Sequence, residues 1–298
     1  MSNQLSAITN QPFLNEYATS AEVRFARSIQ KLLAPTVEVG SVNGFFAKYT
    51  RDSRLTLPST RRELNGQAVQ LEIAAEDERY ACILHAVDTN IDLSQEDDFE
   101  WLIPDALDLL ADVQAQVLAF ETIQVAFAAA GAGETLTFGD ADDPIKLIDD
   151  ELLKLAKKAR SESLAVAFGA VAWHEFKHHP IVREKAGTSI SWATHPNLFH
   201  TGAQFEANYS LIDDADLGAD EAIEFMFPED SILIFARSQN STRRSPDFMK
   251  TFRKRDQTNP FRAVVSKDGR RLMVQNDWAV DLKVTNTAGV ERFNVVAG

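Results

Sequence analysis

The chain has 298 residues, a formal net charge of −14 and one cysteine, Cys82. The acidic balance argues against a general nucleic-acid binder, which carries a basic footprint, and the lone cysteine excludes an intrachain disulfide. With 45% hydrophobic and 25% charged residues, the composition is that of an ordinary folded protein of one large or two modest domains.

Residues 1–35 read as an arm. Asn, Gln, Ser and Thr dominate the first twelve positions, and Pro12 interrupts them. Met1 to Leu14 lacks a basic stretch followed by an apolar one, so no secretory signal is expected. Ala21, Val23, Phe25, Ala26, Ile29, Leu32 and Leu33 predict a short amphipathic helix that Pro35 ends. Residues 36–75 read as extended chain. Val37, Val39 and Val42 alternate with polar residues, Phe45, Phe46 and Tyr49 follow, and Val69, Leu71 and Ile73 alternate again. Between them, Thr50 to Gly66 is polar and basic. Two strand-like arms around a long polar tip describe a projecting hairpin, and a tip of this length in a folded domain is either functional or disordered.

Residues 79–88 lead into an acidic run, Glu96, Asp97, Asp98 and Glu100. A long helix is predicted from Phe99 to Gly131, with apolar residues at Phe99, Leu102, Ile103, Ala106, Leu110, Val113, Val117, Phe120 and Phe127. The acidic run suits the positive end of its dipole, Pro104 suits a first turn, and Gly131 and Gly133 are stop signals. Ordinary helices have roughly 11–12 residues, so this one is a candidate structural spine. No uninterrupted apolar run reaches about 18 residues, so no membrane span is expected.

Thr135 to Phe138 predicts a short strand, and Ile145, Leu147, Ile148, Leu152, Leu155, Ala156 and Ala159 an amphipathic helix. Leu164 to Phe168 reads as an apolar strand and Gly169 to His179 as a helix closed by Pro180, with Ile181 to Gly187 continuing it or turning. Thr188 to Gly218 reads as loops with a few short strands. Strands are predicted at Ile223–Phe227, Ile232–Phe235, Leu272–Gln275, Trp278–Val284 and Val290–Ala297, with a hairpin turn at Lys267–Arg270. Trp278, Val280, Leu282 and Val284 alternate with Ala279, Asp281 and Lys283, as a half-buried antiparallel strand does.

Charge is uneven along the chain. Asp140–Glu151 and Asp213–Glu224 are acidic. Arg243–Arg271 is basic and reads as solvated loop. Lys48, Arg51, Arg54, Arg61 and Arg62 make a second basic segment in the predicted hairpin. Opposite patches on one chain suit self-association, because they meet between copies.

His174, Glu175 and His178 match the HExxH pattern, in which two histidines one helical turn apart hold zinc and the glutamate acts as base. The context is poor for that chemistry. Lys177 puts a cation beside the metal, Pro180 stops the helix, and a third ligand is required. His195, His200 and Glu206 are candidates for it, but none falls in a recognised spacing. We therefore assign no metal, cofactor or catalytic residue and keep a zinc metalloprotease on His174, Glu175 and His178 as an alternative. Cys82, in an apolar strand context, reads as a small core residue, and Trp173, Trp192 and Trp278 as packing residues.

As a series, these elements resemble the major capsid protein of tailed bacteriophages, the Hong Kong 97-like capsid fold. Three stretches carry the likeness: Phe46 to Tyr49 before the arginine-rich tip; Phe168 through Trp173 to His179, Pro180, Ile181 and Val182; and Trp278–Val284 with Ala288, Gly289, Asn294, Val295 and Val296. The resemblance implies an α+β fold with an N-terminal arm (1–35), an extended β-hairpin loop (36–75), and a peripheral domain (76–138) built on the spine helix 99–131. It implies an axial domain (139–225) and strands completing both domains (226–298). It further implies a structural protein rather than an enzyme, which self-assembles in hexamers and pentamers into an icosahedral head shell around double-stranded DNA without sequence-specific binding. Partners would be further copies, a scaffolding protein, a portal and a decoration protein, with no membrane. The place of assembly would be the host bacterial cytoplasm and the final location the virion. No fused scaffolding segment is evident before residue 36, so scaffolding is expected from another protein or a removed propeptide. An encapsulin-like compartment is the alternative on the same fold. Lys48, Arg51, Arg54, Arg61 and Arg62 are the expected subunit-interface residues. Some family members cross-link lysine to asparagine, but Lys48 stands at the loop base and no lysine lies in the tip, so that chemistry is not assigned.

Overall fold

The long helix forms as one piece, α2, Phe99–Ala130. The computed structural model describes residues 27–48, 76–92, 99–139, 141–186, 198–213, 223–238, 240–255, 261–265 and 270–297. Gly131 and Gly133 follow α2 at φ +78° and +79°, a left-handed conformation that glycine enters without steric penalty. The Gly131 amide donates to the Phe127 carbonyl at 3.0 Å, closing the last turn. Pro104 lies inside the helix rather than in its first turn, because helical backbone already begins at Phe99. The order of the remaining helices is α1 (Ser28–Leu33), α3 (Pro144–Ala159), α4 (Ala170–His178) and α5 (Pro180–Ala186).

The described chain falls into two compact units, one drawn from within residues 1–44, 80–122 and 251–283 and the other from within 45–79, 123–250 and 284–298. The first is organised on a five-stranded sheet. Its strands are β1 (Thr36–Val39), β4 (Ile83–Asp92), β11 (Met249–Lys254), β12 (Phe261–Val265) and β13 (Arg271–Val284), in the order β1-β11-β13-β12 with β4 also on β13. β4 runs antiparallel along β13 from Ile83 opposite Val280 to Asp92 opposite Arg271. The apolar stripe of α2 packs on this sheet through Ile103, Ala106, Leu107, Leu110 and Ala111 against Ile91, Phe261, Leu272 and Val274.

Three expectations are corrected in this unit. Val37 and Val39 belong to β1, which pairs in parallel with β11, Thr36 opposite Thr251, not to an arm of the hairpin. Their alternation is the same either way, and only a partner remote in sequence decides it. The two strands predicted at Leu272–Gln275 and Trp278–Val284 are one strand. Asn276 and Asp277, which read as a break, are buried within it, and Asn276 donates to the Gln114 side chain at 2.7 Å. The basic stretch after Arg243 is not all solvated loop, because β11 is buried over its first four residues. By length and composition alone, α2 from Leu102 to Ala130 is long and apolar enough to cross a membrane. Its N-terminal part, from Ile103 to Ala111, packs on the sheet, and Asp112 on its flank pairs with Arg27 at 2.7 Å.

Of the strands around the predicted hairpin, β2 (Asn43–Lys48) pairs with β3 (Glu76–Ala81), which lies beyond the expected loop bound at residue 75. The arm expected at Val69–Ile73 and the tip lie outside the described residues, as do the helix residues expected before Arg27 and the turn at Lys267. β3 carries Glu76, Asp77, Glu78 and Arg79, so no apolar alternation announced it.

The second unit holds the sheet β5-β14-β10-β6-β7, built of β5 (Glu134–Phe138), β6 (Leu164–Phe168), β7 (Gln204–Ala207), β10 (Ser231–Ala236) and β14 (Val290–Ala297). β10 is antiparallel to both β6 and β14, while β5 and β7 add in parallel at the two edges. Every residue of β6 and β10 is buried. Ile148, Leu152 and Leu155 of α3, with Trp173 and Phe176 of α4, join Val166, Phe168, Ile232 and Ile234 in one core. Asp143 caps α3 by accepting from the Lys146 amide. Burial works against its charge, but hydrogen bonds from Lys185 and that amide outweigh it and hold the carboxyl below its usual range. Gly169 leads from β6 into α4 where the chain passes the Pro228–Glu229 turn. A Cβ there would sit 2.2 Å from the Pro228 carbonyl oxygen.

Candidate functional site

Of the expected interface residues, Lys48 is placed at the end of β2, where its ammonium meets the Glu78 carboxylate of β3 at 3.0 Å. It is thus a strut across the hairpin base. Beside it Arg79 lies over the Phe45 ring, 5.3 Å from the centroid, and Phe45 itself is exposed. Arg51, Arg54, Arg61 and Arg62 lie outside the described residues.

A second uncovered surface is one that sequence reading passed over. β8 (Leu211–Asp213) and β9 (Ile223–Phe225) form an isolated antiparallel pair. Leu211 stands opposite Phe225 and Asp213 opposite Ile223, so Leu211, Phe225 and Ile223 share one face. Ile223 is 69% exposed, Tyr209 56% and Leu211 52%. A two-stranded sheet is marginal alone in water, and these apolar side chains, with Asp213 on the same face, form a candidate interaction surface. β9 falls within the strand expected at Ile223–Phe227, whereas the weak patterning of Thr188–Gly218 left the position of the three-residue β8 unread.

The HExxH match sits on α4. Trp173 and Phe176 point into the core, where their rings stack 5.6 Å apart. His174 and His178 lie on the opposite, exposed side with ring centroids 4.4 Å apart. The His174 Nδ1 is 3.7 Å from Glu175 Oε1. Partial desolvation, His174, Lys177 and Arg183 together push the His178 pKa down. His179 turns the other way, buried, with Nε2 3.0 Å from the Gly139 carbonyl oxygen, and Pro180 opens α5 as its first residue. Of the third-ligand candidates, His195 lies outside the described residues. Among the described residues no group of three or more His, Cys, Asp or Glu converges on a metal position.

Cys82 is buried with its Sγ 3.5 Å from the Phe252 carbonyl oxygen. Burial and then Asp281 push its pKa up, which makes it a poor nucleophile. Trp278 is buried and stacks on His85 at 5.4 Å. Both residues act in packing, as expected. A buried ionic cluster escaped the sequence reading. The Lys250 side chain is 0% exposed, donates to the Ser245 carbonyl at 2.6 Å and lies 3.9 Å from the Asp247 carboxylate. Asp247 also accepts from the Ser245 hydroxyl and the Ser238 amide. The flanking Phe248, Met249 and Phe252 were the available signal that this part of the basic run is core.

The fold defines the class: it is the α+β fold of phage capsid proteins. A phage-related protein from Bordetella bronchiseptica RB50 matches with a TM-score of 0.69 and 14% identity over 95% of this chain and 96% of its own. A protein described as a prophage capsid protein from Escherichia coli CFT073 matches with a TM-score of 0.58 and 11% identity over 97% and 99%. The SrpI encapsulin of Synechococcus elongatus PCC 7942 matches with a TM-score of 0.54 and 8% identity over 91% and 88%. No family model matches the chain, and no curated protein matches it in sequence.

Proposed function

We propose that this chain is a major capsid subunit that self-assembles into an icosahedral shell around the double-stranded DNA of a phage. The single observation that carries the reading is the end-to-end match to the prophage capsid protein, 97% of this chain against 99% of that one, with no large part of either left over. The uncovered apolar face of β8 and β9 supports it, because such a face is stable once a second copy covers it. The shell grips DNA weakly, consistent with the net charge of −14. The subunit has no catalytic role. It assembles in hexamers and pentamers in the host bacterial cytoplasm with a scaffolding protein and a portal, and ends in the virion.

Negative-stain imaging of the purified protein tests the proposal: closed icosahedral particles are expected, and a monodisperse small oligomer under all assembly conditions overturns it. An encapsulin-like compartment is the second reading, favoured by the match to SrpI. Particles purified from the native host decide between the two: phage DNA inside supports the capsid, a cargo protein the compartment. Arg51, Arg54, Arg61 and Arg62 carry the contact between neighbouring subunits, with Lys48 bracing the loop base. Reversing the charge of Arg61 and Arg62 is expected to reduce particle yield and lower the particle's melting temperature. Unchanged values would remove the loop from the interface.

A further inference from the structure

The histidine pair on α4 is left over by the capsid reading, and its geometry is specific. His174 and His178 are one helical turn apart, so both side chains rise from the same face. Their rings are already 4.4 Å apart. Both are exposed, and the anchoring residues Trp173 and Phe176 are buried in the core behind them. The anchored helix therefore keeps the two histidines one turn apart on its exposed face before any ligand arrives. An ion bound at about 2.0–2.1 Å from each nitrogen fits between two such rings after small side-chain rotations.

We propose that His174 and His178 form an open two-histidine site for an imidazole-preferring divalent transition ion, Ni²⁺ or Cu²⁺. Two neighbouring positions on a tetragonal ion suit two rings held side by side, which favours these ions over those that take oxygen ligands. Glu175, with Oε1 3.7 Å from His174 Nδ1, places a carboxylate beside the pair and offsets part of the ion's charge. Lys177 on the same helix and Arg183 on α5 are the opposing cations, and they limit affinity rather than block the site. With no third protein ligand among the described residues, the remaining coordination positions go to water. This is where the site differs from a metalloprotease centre, which needs a third protein ligand: here the ion is held by two ligands on the exposed face of α4.

The site is independent of the shell reading, and its test does not require assembly. Untagged protein is titrated with Ni²⁺ alone by isothermal titration calorimetry. One ion per chain is expected, with the binding heat lost in His174→Ala and in His178→Ala and retained in His200→Ala. Both substituted side chains are exposed, and unchanged circular dichroism confirms that the variants fold. Absence of binding by the natural chain, or binding that persists in both variants, overturns the site.

Discussion

The two five-stranded sheets of this protein bury their strands in different ways. In the second unit, β6 and β10 are buried at every residue, with α3 and α4 contributing to the core that contains them. In the first, α2 packs on the sheet, and β4 exposes Ile83 and Leu84 and alternates along most of its length. The fully buried strands are nearly pure apolar segments, while β4 carries His85, Asp88, Asn90 and Asp92 among its apolar residues. A strand's composition therefore reports how many of its faces are covered. β4 and the β8–β9 pair keep apolar side chains exposed, whereas β6 and β10 lie at the centre of the second unit's core.

This contrast can be tested by substitution. Asp247→Ala is expected to have the largest effect. It removes the carboxylate that faces the buried Lys250 ammonium and accepts from the Ser245 hydroxyl and the Ser238 amide, and removing one partner of a buried pair costs about 3–5 kcal/mol; denaturant unfolding measures it. Phe168→Ala removes a ring fully buried between Trp173 and Phe176 and should cost about 3–5 kcal/mol. Hydrogen exchange should then rise in β6 and β10 while β13 keeps its protection. Leu107→Ala, at about 2–5 kcal/mol, should do the reverse, raising exchange in β13 and β4. If either substitution loosened both sheets equally, the two would not be separate stability units.

Gln114→Ala leaves the buried Asn276 without its partner, for about 1–3 kcal/mol; thermal unfolding should show it, with Gln114→Glu no better. Asp143→Ala is the smallest, about 1 kcal/mol for a lost helix cap. Its pH dependence has a definite sign. The folded pKa of Asp143 is lowered from 3.8, so its stabilisation is complete above that value and is lost as pH falls through the lower folded one. The gap between the natural chain and the variant should thus close in acid, and a gap that stayed constant below pH 4 would refute the assignment.

Most helices and the central strands of the second unit were legible from sequence. The reason is that their signals are local: the 3.6-residue period of α2 and α3, the stop at Gly131, and the short apolar runs at Leu164–Phe168 and Ile232–Phe235. The order of elements was enough to suggest the capsid fold before any coordinates. What tertiary structure alone decided was pairing and cover. β1 joins β11 across most of the chain's length, and β14 inserts between β5 and β10. No local period encodes a partner so remote, since alternation looks the same whichever strand lies alongside. Burial of Lys250 was equally hidden, because a lysine is read as solvated until the fold supplies Asp247 and the Ser245 carbonyl to hold it. The HExxH match is the converse case. Its spacing placed two histidines on one helix face, and the fold determined that this face looks outward, with no third ligand among the described residues to join them.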